Sequence, residues 1–259
     1  MSGYINRGEV KRMILLEDTR QQEKKHELKH QYFRAVGVHW NRTCLYCGDY
    51  TLPANQSVCI DTKKDIHELI GDIQVKQMPK KEVKEKVYEI CKNERISFDL
   101  ADEIYHAICD DDTDRFAEKD INEVCYKYAL SESIIASLQA LYVKRHGFFH
   151  RGLKRAQNSG IRLYILVENE EGVTCVDKLI DWINPRLDRY LKIKEMHSYG
   201  KWRKIPLPKA EPTPGPKLAK ACMTMEQKYG CRFLFCRPEE SGTMILELLG
   251  VNDYAEKTS

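Results

Sequence analysis

Short apolar runs alternate with longer stretches of helical spacing along this chain of 259 residues. RMILLED (12–18) is a brief apolar run that closes on acids, which predicts a buried strand. TRQQEKKHELKHQYFRAVG then reads as a polar stretch, a helix and a glycine stop. Two further strands are expected, from Val38 to Cys47 and from Ser57 to Asp61, joined by a turn containing Pro53 and Asn55. KDIHELIGDI starts a helix directly after the second of them.

From about 76 to 145 the texture changes. KKEVKEKVYEICKNERI, SFDLADEIYHAICDD and EKDINEVCYKYALSESIIASLQALYVKRH all space their apolar residues for helices, with Ser97 and Asp99, and then Ser131, as N-cap signals. No strand pattern interrupts them, so residues 76–145 are expected to form an all-helical insertion. Alternation of helix and strand then resumes. LKRAQNSG ends a helix at Gly160, IRLYILVE (161–168) is the clearest strand, and VDKLIDWINPRL follows as a helix. A Pro-rich linker near 205–217 precedes the helix KLAKACMTMEQKYG, the strand CRFLFC and the helix EESGTMILELLG. The expected plan is an α/β protein with a mixed sheet, built from 1–75 and 146–259 around the helical insertion.

Composition narrows the class. With 42% hydrophobic and 31% charged residues the chain is expected to fold as a globular protein. No apolar run approaches the ~20 residues that span a bilayer. MSGYINRGEVKR lacks the apolar segment of a signal peptide, so a cytoplasmic protein without a membrane partner is expected. Ten cysteines are scattered, and only Cys44 and Cys47 form a CxxC without a second ligand pair, so reduced thiols are favoured over structural zinc. A net charge of +3 excludes a grossly basic nucleic-acid coat. The charge is nonetheless uneven: DDDTD (110–114) is acidic, whereas HGFFHRGLKR and YGKWRKIPLPK are basic with aromatics interleaved. Such local patches suffice to hold phosphates, although a solvated helix face explains each of them equally well.

The candidate chemistry lies in VCIDTKKDIHEL, which follows CGDY by a few positions. Metal-dependent phosphodiester cleavage needs oxygen ligands for Mg²⁺ or Mn²⁺ and benefits from a lysine that orients water or stabilises developing charge. Residues two apart on a strand share a face, so Asp61 and Lys63 would meet one site together, and Asp49 at the neighbouring turn could close it. The plainer reading is a strand end marked by solvated charges, with Asp49 forming a turn beside Gly48.

The ordered set EDTRQQ (17–22), CGDY (47–50), IDTKKDIHEL (60–69), FFHRGLKRAQNSG (148–160) and LYILVE (163–168) resembles the XPF-type structure-specific nuclease domain, above all its compact bacterial and phage versions. The resemblance covers roughly 12–75 and 146–250 and leaves the helical insertion unmatched. It implies a restriction-endonuclease-like mixed sheet flanked by helices. It also implies a metal-dependent endodeoxyribonuclease acting on branched or flapped DNA in repair or recombination, in a bacterial or phage-infected cell. Asp18, Asp49 and Asp61 would hold Mg²⁺ or Mn²⁺, with Lys63 completing the catalytic set. Arg20, Arg151, Lys154 and Arg155 would contact DNA phosphates. Glu168 closes the strand LYILVE and ranks below the three aspartates.

Departures from the family's pattern point the other way. Gln21 stands where the family usually has Glu, and Thr62 where it usually has Arg; Gly152 replaces a common acid. They motivate the alternative of a degenerate nuclease-fold protein that binds DNA or a protein partner without cutting. The insertion, with its acidic run, could itself receive a protein partner. Substrate junction, cleavage polarity and oligomeric state stay open at this level.

Overall fold

The computed structural model describes residues 13–20, 26–74, 78–109, 125–198 and 211–251. Gln21, the acidic run 110–114 and the basic segment 199–209 lie outside them. The described chain falls into two compact units. Among the described residues no helix is long and apolar enough to cross a membrane.

The first unit holds the described residues up to Ile66, Ile161–Glu226 and those from Cys231 on. Its six strands are β1 (Ile14–Asp18), β2 (His39–Thr43), β3 (Tyr50–Leu52), β4 (Asn55–Lys63), β5 (Arg162–Glu168) and β6 (Arg232–Cys236). They form one sheet in the order β2-β1-β3-β4-β5-β6. β3 runs antiparallel to both neighbours, and the other pairs are parallel. The unit is thus a mixed sheet with flanking helices, as expected from the sequence. Helices α1 (Glu27–Ala35) and α9 (Ser241–Leu248) share a core with the sheet through Phe33, Leu15, Tyr50, Ile60, Leu166, Ile245 and Leu246. A Cβ at Gly242 would stand 2.6 Å from the Tyr32 ring, so this helix pair approaches as closely as glycine allows.

The second unit holds His67–Gly160 with Gln227–Gly230. It contains most of α2 (Ile66–Ile73), then α3 (Lys80–Asn93), α4 (Phe98–Cys109), α5 (Glu132–His146) and α6 (Phe148–Asn158). Val83, Val87 and Cys91 on α3, Leu100, Ile104 and Ile108 on α4, and Leu138 and Tyr142 on α5 repeat at four-residue spacing and form its core. By contact, α2 and α6 group with the insertion helices. Ser97 accepts the Leu100 amide at 3.4 Å, as its N-cap signal predicts. Ser131 makes no such cap and pairs with the Ser133 hydroxyl instead.

Several boundaries differ from the sequence reading. The expected strand Val38–Cys47 stops at Thr43, because β2 and β3 flank β1 on opposite sides and the chain between them must cross its end. β3 follows that crossing, in the stretch read as the connection between the two expected strands. β4 extends from Asn55 to Lys63, so Asp61 and Lys63 both lie within the strand. VDKLIDWINPRL is not one helix. A short 3-10 turn at Val176–Ile180 gives way to α7 (Pro185–Ser198), started by a proline that has no N–H to lose there. Asn184 prepares that start by accepting the Arg186 amide at 3.0 Å. The last residues of the Pro-rich linker, from Gly215 on, already belong to α8 (Gly215–Tyr229).

Candidate active site

β1, the crossing segment and β4 bring the first candidates together. Gly48 has φ +69, and a Cβ there would lie 2.8 Å from the Ile60 carbonyl oxygen. Glycine is required at this point both by the left-handed backbone and by the close approach. The bend lets the Asp49 amide donate to the Ile60 carbonyl at 2.6 Å, while the Asp49 carbonyl accepts the Asp18 amide at 2.9 Å. Asp49 is thereby fixed between β1 and β4.

The Asp49 carboxylate is buried, and its Oδ2 accepts both the Thr62 amide at 2.8 Å and the Thr62 hydroxyl at 2.7 Å. Burial pushes its pKa from 3.8 up to about 7, and the negative charge of Asp61 adds to the rise. On β4, Lys63 Nζ donates to Asp61 Oδ1 at 3.0 Å, which is the same-face pairing that a two-residue separation predicts. Lys63 is buried and Asp61 partly so. The solvated strand exit does not describe these residues.

Asp18 is buried at the end of β1, but its carboxylate is engaged elsewhere. Oδ2 accepts Arg20 Nε at 2.7 Å, and Oδ1 accepts the Arg20 and Leu45 amides at 3.3 and 3.4 Å. Arg20 also donates to the Leu45 carbonyl at 2.7 Å, and about half of its side chain stays exposed at 53%. Among the described residues no three His, Cys, Asp or Glu side chains converge as a metal-holding group. What the donor chemistry offers is a nucleus of two carboxylates, Asp49 and Asp61, whose mutual repulsion a divalent cation would relieve. Mg²⁺ is commonly held by one or two carboxylates and its own waters, so the pair fits that ion.

Arg151, Lys154 and Arg155 stand on α6, in the helical unit. That helix carries no acid and buries Phe149, Leu153 and Ala156, leaving a basic face. The Arg151 guanidinium lies 4.8 Å from the Tyr142 ring centre and 5.5 Å from that of Phe148. Such cation–π contacts hold an arginine in place.

A second polar group lies under α1. Glu17, fully buried on β1, contacts His30 Nε2 at 2.5 Å and Arg42 Nε at 3.3 Å. His30 stacks on Trp40 with ring centres 4.4 Å apart. Lys29 forms a buried ion pair with Glu168, and the Tyr50 hydroxyl lies 2.7 Å from His26 Nδ1. Burial, followed by the charges of Glu17, Asp49 and Glu168, pushes the Tyr50 phenol far above its usual range. Glu168 is thus a partner of α1. The available signal was the helix face: Leu28 is exposed while Lys29, His30 and Phe33 point inward, so charged residues on α1 needed acids in the sheet. All ten cysteines are free thiols, with Cys222, Cys231 and Cys236 pushed up to about 12 first by burial.

No family model matches the chain, and no curated protein matches it. Among solved structures it is similar to XPF from Aeropyrum pernix, with a TM-score of 0.38 and 11% identity. The match covers 93% of this chain and 65% of the archaeal one, under two thirds of its length. A likeness this loose carries no conclusion about fold or activity.

Proposed function

We propose that this chain is a metal-dependent DNA endonuclease that hydrolyses phosphodiester bonds in branched or flapped duplex. The observation that supports it is the Asp61–Lys63 pair beside a buried Asp49 whose carboxyl group is pushed up to about 7. A buried acid with a second, half-buried acid near it is costly for the fold alone and is suited to a divalent cation. Asp49 and Asp61 would hold Mg²⁺ or Mn²⁺, with Asp18 joining as a third ligand once its carboxylate turns from Arg20. The bound ion would supply Lewis-acid activation of the phosphate and a more acidic water.

Lys63 holds its ammonium 3.0 Å from Asp61 Oδ1. There it would orient the attacking water or donate to a phosphate oxygen as negative charge builds on it. Arg20, with its exposed half, and the basic face of α6 with Arg151, Lys154 and Arg155 would hold backbone phosphates. Such contacts position the duplex without reading its sequence. The helical unit is also proposed to receive a protein partner, since Phe98 and Tyr126 expose their rings there, at 75% and 74%.

A second reading is favoured by one observation, the engagement of Asp18 with Arg20 and the Leu45 amide. If that arrangement persists on DNA, the chain binds branched DNA without cutting it. Flap, fork and four-way junction substrates incubated with Mg²⁺, Mn²⁺ or EDTA separate the two. Cleavage restored by either metal and silenced by EDTA supports the endonuclease. Tight binding with intact DNA under all three conditions supports the binder.

A further inference from the structure

We propose that Thr62 is a positioning residue that sets the orientation of the Asp49 carboxylate toward Asp61; this rests on the endonuclease reading above. From the sequence, threonine at this position registers only as the absence of a charge. The geometry gives it a task.

Thr62 lies between Asp61 and Lys63 on β4, and two of its donors reach the same acceptor. Its amide donates to Asp49 Oδ2 at 2.8 Å and its hydroxyl donates to that same oxygen at 2.7 Å. Any residue at 62 except proline would supply the amide. Only threonine or serine supplies the second bond with so short a side chain. Two donors on one oxygen hold the plane of the carboxylate, because turning it breaks both bonds together. The β-branched side chain strengthens this hold, since threonine on a strand has few χ1 alternatives.

The backbone of Asp49 is fixed independently. Gly48 presses against the Ile60 carbonyl, and the Asp49 amide and carbonyl bond to β4 and β1 at 2.6 and 2.9 Å. What the main chain leaves undetermined is rotation about the side-chain bonds of Asp49, and Thr62 fixes that. Thr62 is half-buried, so its hydroxyl bond is partly shielded from competing water. Groups that orient a metal-binding side chain commonly cost about 10–100-fold in metal affinity or activity when removed.

The test compares Thr62→Val, which keeps the branching and removes the hydroxyl, with Thr62→Ser, which keeps the hydroxyl. Mn²⁺ affinity is read by electron paramagnetic resonance on the DNA-free protein, and kcat and KM on a cleaved substrate. The expected result is that Thr62→Val weakens Mn²⁺ binding about tenfold and lowers kcat with KM little changed, while Thr62→Ser recovers most of both. In an Asp49→Asn background Thr62→Val should add no further loss. If Thr62→Val does not fold, Thr62→Ala against Thr62→Ser is read the same way. A wild type that cuts with metal, beside a Thr62→Val protein of equal Mn²⁺ affinity and kcat, overturns the inference and leaves the endonuclease standing. A wild type that neither binds Mn²⁺ nor cuts overturns both.

Discussion

The two compact units bury different chemistry. The helical unit packs Val83, Val87, Leu100, Ile104, Ile108 and Leu138 into an apolar cluster together with Cys91, Cys109, Cys125 and Tyr142. Among the described residues, every buried polar or charged side chain lies in the sheet unit, including Glu17, Asp18, Lys29, His30, Asp49, Lys63 and Glu168. Burying an ion costs several kcal/mol even in a pair, and apolar replacements are often neutral or stabilising. The helical unit demonstrates that this chain can build a core without such groups. Their concentration in the sheet unit calls for a reason other than stability, and the proposed reaction site would supply one for Asp18, Asp49 and Lys63.

That contrast can be broken by substitution. Lys63→Ala should lower the rate of metal-dependent DNA cleavage by about 10²–10³-fold while changing Mn²⁺ affinity little, because its ammonium acts as charge develops. Single-turnover cleavage and DNA-free Mn²⁺ titration would check both halves. Ile104→Ala, in the apolar unit, should do the reverse. Removing a fully buried branched side chain there should cost about 2–5 kcal/mol in urea unfolding and leave Mn²⁺ affinity unchanged. Equal behaviour of the two variants would erase the distinction between the units.

Gly48→Ala should cost about 1–3 kcal/mol from the left-handed backbone alone, with the 2.8 Å approach to Ile60 adding to it. Its melting curve and Mn²⁺ affinity should fall together, since the same bend carries Asp49. A further effect concerns protons. Asp49 titrates at about 7 in the folded chain against 3.8 as the ordinary value, so the folded state holds the extra proton between those limits. Its contribution to stability is complete below pH 3.8 and is lost as the pH rises through about 7. In metal-free buffer, melting temperature should decline from pH 5 to 8 by more in the wild type than in Asp49→Asn.

Much of the sheet unit was legible in the sequence because apolar runs such as ILLED, RLYILVE and RFLFC are bounded by polar residues and correspond to β1, β5 and β6. β3 was not, because three residues are too short to show alternation. The proline in VDKLIDWINPRL carried the information that a helix starts there, but the flanking apolar spacing masked it. At the candidate site, Asp61 with Lys63 followed from period two, and Gly48 before Asp49 marked a turn. The partner of Asp49 did not follow, since Thr62 reaches it across strands that the sequence left unpaired. The Glu17–His30 and Lys29–Glu168 pairs were hidden for the same reason: they join residues 13 and 139 positions apart, which no local pattern connects.

The central claim is that Asp61 belongs to a metal-dependent cleavage site, and Asp61→Asn tests it most directly. The substitution removes a charged oxygen ligand at nearly constant volume. Cleavage of flapped duplex in Mg²⁺ should collapse, while the melting curve stays cooperative and DNA binding in EDTA persists or tightens, because a negative charge beside the phosphates has gone. An Asp61→Asn protein that cuts as the wild type does, or wild-type cleavage that continues in EDTA, would contradict the account.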